Sequence, residues 1–224
     1  MKSKIIPIII VILIVAAGIF LAVRNSKPLT GEALVTQMIK DSSKANPSQL
    51  YTASQTAYEL GDLQSAGFLV YAARIRATFD VERFGLDQAG PAIKEWQQIE
   101  DQYGYILNPQ LMRDPTMFNT NAKMIEDWPV VPSPKADYPA EVYGEIKVAE
   151  ADWFELGQKT KKQFTDTFFN PFKIFLSDAK NVEALNFVND YNFSKIPPTE
   201  ENEATYVANL KIVSQGLSAS GLGH

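Results

Sequence analysis

Residues 46–79 read NPSQLYTASQTAYELGDLQSAGFLVYAARIRATF, and this stretch decides the fold. Asn46-Pro47 is a helix start: Asn is a favoured N-cap, and proline belongs at the first helical position, where a missing N–H costs little. The helix runs to Leu60. Gly61-Asp62 stops it and caps the next, which spans Leu63 to about Phe79. In that second helix Leu63, Ala66, Val70, Ala73 and Ala77 recur at spacings of three and four, the apolar stripe of a packed helix. Two helices joined by Gly-Asp make an antiparallel hairpin.

Working outward, Thr30 caps a preceding helix with Leu34, Met38 and Ile39 on one face, which fades in Asp41 to Ala45. A helix is expected from Pro91 to about Tyr103. Asn108-Pro109 and Asp114-Pro115 then break the chain before the apolar stretch Met117 to Ile125. Residues 127–139 form a Pro-rich connector, extended and not helical, and read here as packed along its own domain. Pro129 and Pro132 also have the P-x-x-P spacing of a partner ligand.

The helical pattern returns at Pro139. Val142, Ile146, Ala149, Trp153, Thr160, Phe164 and Thr167 share a stripe, with Gly157 as a candidate break. Glu141 and Glu145 near its start and Lys159, Lys161 and Lys162 near its end follow the helix dipole. Asn170-Pro171 starts another helix. A last one begins at Thr199, presents Tyr206, Leu210, Val213 and Leu217, and ends at Gly216 or soon after, leaving residues 218–224 frayed. No segment alternates with period two for long enough to demand a sheet. The fold class is mainly α, with residues 31–126 and 140–217 as its two helical halves.

The N-terminal segment sets the address. Ile5 to Val23 is a run of nineteen uncharged, mostly apolar residues, flanked by Lys2 and Lys4 and by Arg24 and Lys27. As a helix it is about 28 Å long, close to the hydrocarbon thickness of a bilayer. A cleavable signal peptide has a shorter apolar core and a small-x-small cut site. Here the run continues past Val15-Ala16-Ala17, and Phe20 is too bulky for a cut after Ala22, so an uncleaved signal-anchor is favoured over a cleaved, secreted form. Residues 1–4 are then a short tail and 24–30 a stalk. Flanking charges are almost balanced. The four-residue tail and the acidic body favour a cytoplasmic N-terminus with an exported, periplasmic or extracellular, C-terminal domain.

Composition removes several classes of function. Beyond residue 4 the chain has 19 basic residues against 26 acidic ones, so it has no electrostatic footprint for nucleic acid. Cysteine is absent and the only histidine is His224. That excludes Cys–His and Ser–His–Asp nucleophile systems and zinc sites of ordinary type. No Gly-rich phosphate loop and no calcium loop occurs. No metal or other cofactor is expected.

The hairpin carries a further pattern. Leu50, Ala53, Ser54, Ala57, Gly61, Leu63, Ala66, Val70 and Ala73 resemble the spacing of a tetratricopeptide-type repeat, and residues 62–73 resemble the second helix of the related Sel1-like repeats. Ala57 stands where a Tyr is typical, no Pro closes the unit near Thr78, and no second copy follows. A helical hairpin using the same small-residue packing remains the alternative. The resemblance implies a protein-binding concave face made of Tyr51, Gln55, Tyr58 and Glu59.

Other candidate chemistry is sparse. Ser177 and Lys180 have the bare S-x-x-K spacing of penicillin-interacting enzymes, but the companion motifs are missing and Ser177 also suits an N-cap. Glu82, Asp87, Glu95, Glu100, Asp101, Glu126 and Asp127 offer carboxylates for glycan chemistry, with nothing to single out a pair. Phe164, Phe168, Phe169, Phe172 and Phe175 read as a core at a helix corner, or else as a membrane contact or partner groove. Trp96, Trp128 and Trp153 read as core, and Asn192 begins a formal glycosylation sequon. The reading that follows is a single-pass, membrane-anchored helical interaction or scaffold module of the cell envelope, without catalysis, whose partner is another envelope protein. The alternatives are a carboxylate hydrolase directed at glycans and a small-ligand binder with an aromatic pocket.

Overall fold

The computed structural model describes residues 29–85, 90–130, 147–191, 195–197 and 199–222. The anchor expected over Ile5–Val23 lies outside them, as do Asp87, Pro132, the Asn192 sequon and His224. Among the described residues no helix is long and apolar enough to cross a membrane. They form no strand, and the fold is mainly α.

The helices are α1 (Gly31–Asp41), α2 (Pro47–Glu59), α3 (Leu63–Phe84), α4 (Pro91–Ile99), α5 (Tyr105–Leu111), α6 (Pro115–Asp127), α7 (Trp153–Phe164), α8 (Asn170–Leu176), α9 (Ala179–Asp190) and α10 (Glu200–Ser220). Local signals explain most of these boundaries. Asn46 accepts from the Gln49 N–H while the Gln49 side chain accepts from the Asn46 N–H, a reciprocal cap with Pro47 next in line. Gly61 takes the left-handed φ of 79° that ends α2, and Asp62 accepts from the Ser65 N–H to begin α3. Asp114 caps α6 in the same manner.

Helix α3 is the spine. Helix α2 lies along it, and α1, α5, α6 and α7 also contact it. It is therefore buried over most of its circumference from Ala66 to Phe84, beyond the stripe its sequence spacing predicts, with only the face of Arg74, Ala77, Thr78, Val81 and Glu82 left partly open. Small residues make the hairpin tight: Ala53, Ser54, Ala57, Ala66 and Ala73 are completely buried, and the Ser54 hydroxyl donates to the Ala66 carbonyl at 2.8 Å. Gly67 continues this, because a Cβ there would lie 2.2 Å from Asn121 Nδ2 on α6.

The spine also carries charge inward. Asp80 and Arg83 are fully buried and paired at 2.8 Å. The Arg83 guanidinium sits 4.3 to 4.7 Å from the ring centres of Phe79, Phe84 and Trp153. Arg76, equally buried, donates to the Ser43 carbonyl. Aromatic faces accommodate these guanidiniums better than aliphatic packing would.

Two expected breaks do not occur. The helix opened by Pro91 continues through a π-helical turn, Glu100–Gly104, into α5, so Pro109 lies inside a helix. Asn170-Pro171 likewise falls within a continuous run, because a second π-helical turn, Thr165–Phe169, joins α7 to α8. Proline lacks a donor and its ring presses on the carbonyl four residues back. In both places the wider π turn stands next to that carbonyl or contains it, which relieves the clash. Gly157 does not break α7: it lets the Val130 backbone come close, with a Cβ there only 3.0 Å from the Val130 oxygen.

Of the helix predicted from Pro139, residues 139–146 lie outside the described residues. Lys147 to Ala149 are not helical, and the N–H groups of Lys147 and Val148 donate to the Arg83 carbonyl at the end of α3. A 3-10 turn at Glu150–Asp152 then leads into α7. The described start of the Pro-rich connector does pack on the domain. Trp128 and Val130 are buried, the Trp128 indole donates to Ser42 Oγ, and Lys161 donates to the Glu126 and Trp128 carbonyls. At the other end α10 reaches Ser220 before Gly221 caps it, so residues 218–220 are helical, not frayed.

Candidate functional site

The five phenylalanines form a core corner. Phe169 and Phe175 are buried, and Tyr71 of the spine meets Phe168 and Phe169 at ring separations of 5.5 and 5.0 Å, with Phe118 behind them. All three tryptophans are buried. Ser177 is not the N-cap of α9: its hydroxyl donates to the Ile174 carbonyl, while Asp178 caps the helix. The Ser177 hydroxyl proton is thus directed at a backbone carbonyl and not at a side-chain base.

The predicted face on α2 is divided. Tyr51 is only 2 % exposed, because the π turn covers it, and its hydroxyl donates to Glu100 Oε1 at 2.8 Å. Gln55 and Glu59 remain exposed and bond to one another. Tyr58 is half-buried, edge-on to Tyr103 at 5.5 Å, and accepts from Gln110. With Ile99, Gln102 and Ile106 these three border a shallow groove of about 250 Å³. The four residues therefore do not form one open face: the π turn covers Tyr51 and part of Tyr58, and Gln55 and Glu59 remain at the surface.

Tyr51 instead lines a cleft on the other side of the π turn's contact with the hairpin. This cavity of about 600 Å³ lies between α2, α3, α4 and α7. Ala77 and Val81 of α3, Ile93 and Trp96 of α4, and Phe164 of α7 give it an apolar wall. Trp96 is held from behind, its indole N–H donating to Ser48 Oγ at 3.2 Å.

A fixed polar group lies in that wall. Arg74 grips Glu100 through both oxygens, Nε to Oε1 and Nη2 to Oε2, each at 2.7 Å, and Nη2 also donates to Asn108 Oδ1 at 2.9 Å. Gly104 makes room for it, since a Cβ there would lie 2.4 Å from Glu100 Oε2. The π turn thus brings Glu100, Tyr103 and Gly104 onto the hairpin together, and Tyr103 donates to the Ser54 carbonyl. Burial pushes the Glu100 carboxyl up, but the bonds from Arg74, its positive charge and the Tyr51 hydroxyl outweigh that and hold it below the ordinary carboxylate range. Burial and the neighbouring carboxylate push the Tyr51 phenol upward.

Of the candidate carboxylates, Glu82, Glu100 and Asp101 line this cleft, whereas Glu126 and Asp127 are exposed beside Lys123. Glu100 stays ionised and fully engaged, which suits neither a general acid nor a free base. No group of three or more potential metal ligands occurs among the described residues. Sequence reasoning had Glu100 and Asp101 as undistinguished acids and did not single out Arg74. The available signal was an Arg in the middle of an alanine-rich hairpin helix. Comparison with family models, with curated proteins and with solved structures finds no match for this chain.

Proposed function

We propose that this chain is a membrane-anchored helical binding protein that acts by recognition, not catalysis, and that it takes a small organic ligand in the Trp96–Phe164 cleft. The observation that carries this reading is the cleft itself: about 600 Å³, walled by apolar and aromatic side chains, with one rigid polar group. Those are the attributes of small-molecule sites, whose volumes run to several hundred Å³. Anchoring rests on the Ile5–Val23 run, which suits a single-pass address in the cell envelope.

The test is fluorine NMR of the full-length protein in nanodiscs with 5-fluorotryptophan, the Trp96 resonance being assigned by Trp96→Phe. Small aromatic alcohols and amines shift Trp96 saturably, and Ala77→Leu, which fills the cleft, removes the shift while helicity is retained. Shifts that are unsaturable, or unchanged in Ala77→Leu, would overturn it.

A second reading, docking of another envelope protein, is favoured by one surface. Val207 and Leu210 on α10 are 61 and 40 % exposed, and Phe187 on the adjoining α9 is exposed as well. Val207→Glu then abolishes a specific crosslink of the protein in its native membrane without loss of helicity. An unchanged crosslinking pattern contradicts this reading.

A further inference from the structure

The charges around the cleft are unequal in a way that defines the ligand. Among the described residues, three carboxylates, Glu82, Glu100 and Asp101, line it against one cation, Arg74. Arg74 is already spent on Glu100 and Asn108, and Glu100 receives two bonds from Arg74 and one from Tyr51. An anionic ligand would have to break that bidentate pair to reach the guanidinium, exposing a half-buried carboxylate to it. Glu82 and Asp101 are different. Neither makes an ion pair or side-chain hydrogen bond among the described residues, Asp101 is exposed and Glu82 half-buried.

From this we infer, resting on the cleft reading above, that the ligand is an organic cation: an amine or quaternary ammonium carrying an aromatic or aliphatic body. The body fills the space among Ala77, Val81, Ile93 and Phe164, and the cationic head lies toward Glu82 and Asp101. Aromatic side chains of Tyr51, Trp96 and Phe164 add attraction that a neutral head would not receive. The fixed Arg74–Glu100 pair sets a polar boundary to the apolar wall without presenting a free positive charge. An acidic body, 26 carboxylates against 19 basic residues beyond residue 4, raises the local concentration of such a ligand.

Three probes of one shape separate this inference from the reading beneath it: phenethylammonium, 2-phenylethanol and phenylacetate, each titrated against the Trp96 resonance of the full-length protein in nanodiscs of zwitterionic lipid. Phenethylammonium is expected to bind about tenfold more tightly than 2-phenylethanol, and phenylacetate more weakly than either, with the cation preference falling as salt rises. In Glu82→Gln/Asp101→Asn the amine falls to the level of the alcohol, while the alcohol is unchanged. Equal affinity of amine and alcohol, with Ala77→Leu blocking both, overturns the cationic ligand and leaves the cleft standing. Failure of all three to move Trp96 overturns the cleft as well.

Discussion

The α2–α3 and α9–α10 helix pairs read alike in sequence, as apolar stripes at helical spacing between caps, yet they fold into different environments. In the first pair fourteen of the nineteen residues of α3 from Ala66 to Phe84 are buried, Arg76 and Arg83 included. In the second, Ala184 and Ser220 are the only buried residues, and Phe187, Val207 and Leu210 face solvent. The difference lies in how many helices pack on each pair: α1, α2, α5, α6 and α7 contact α3, whereas α10 packs chiefly on α9 and α8 among the described residues. Ala53, Ala57, Ala66 and Gly67 let other helices approach α3 from several sides. The first pair can fix a cleft; the second offers a surface.

The sharpest way to break this comparison is through charge. Asp80→Ala removes the carboxylate that pairs with the buried Arg83, a loss expected to cost about 3–5 kcal/mol. The urea midpoint should fall accordingly with little change in m. A small effect would mean that α3 is not the closed spine described here.

Next come matched truncations. Leu69→Ala, at a completely buried position on α3, should cost about 2–5 kcal/mol, whereas Leu210→Ala on α10 should stay within about 0.5 kcal/mol. Equal costs would erase the distinction between the two pairs. A finer version uses glycine. Gly67→Ala drives a Cβ into the buried Asn121 amide and Leu111, overpacking worth about 1–3 kcal/mol. Gly216→Ala meets the half-buried Asn181 side chain, whose move aside costs its bond to the Phe175 carbonyl and offsets up to about 1 kcal/mol of helix propensity, so its net cost should be smaller than that of Gly67→Ala.

The smallest effect concerns pH. Glu100 has a folded pKa below its unfolded value of about 4.3, so its pairing stabilises the protein fully above that pH and is lost as acid protonates the folded carboxyl. Comparing urea midpoints at pH 7 and pH 3, the native protein should lose more stability than Glu100→Gln. Parallel losses would show that Glu100 is not held as described.

Much of the helical architecture was legible in local chemistry. Asn46-Pro47, Gly61-Asp62 and Asp114-Pro115 announce helix ends because capping depends on adjacent residues. Pro109 and Pro171 misled, since their accommodation depends on π turns that no local residue announces. The site was less legible still. Tyr51 was found, but as an exposed contact, because sequence periodicity places it on a face without saying what covers that face. Arg74 and Glu100 are 26 positions apart, and only the return of α4 and the π turn across the hairpin brings them together.

The unequal burial of the two helix pairs is tested most directly by native-state hydrogen exchange on the full-length protein. Amides of α3 between Ala66 and Phe79 should exchange only through global unfolding, with opening energies that track the denaturant stability. Amides of α9 and α10 should open locally, at clearly lower free energy and with little denaturant dependence. Identical opening energies in the two pairs, or α3 opening first, would contradict the account.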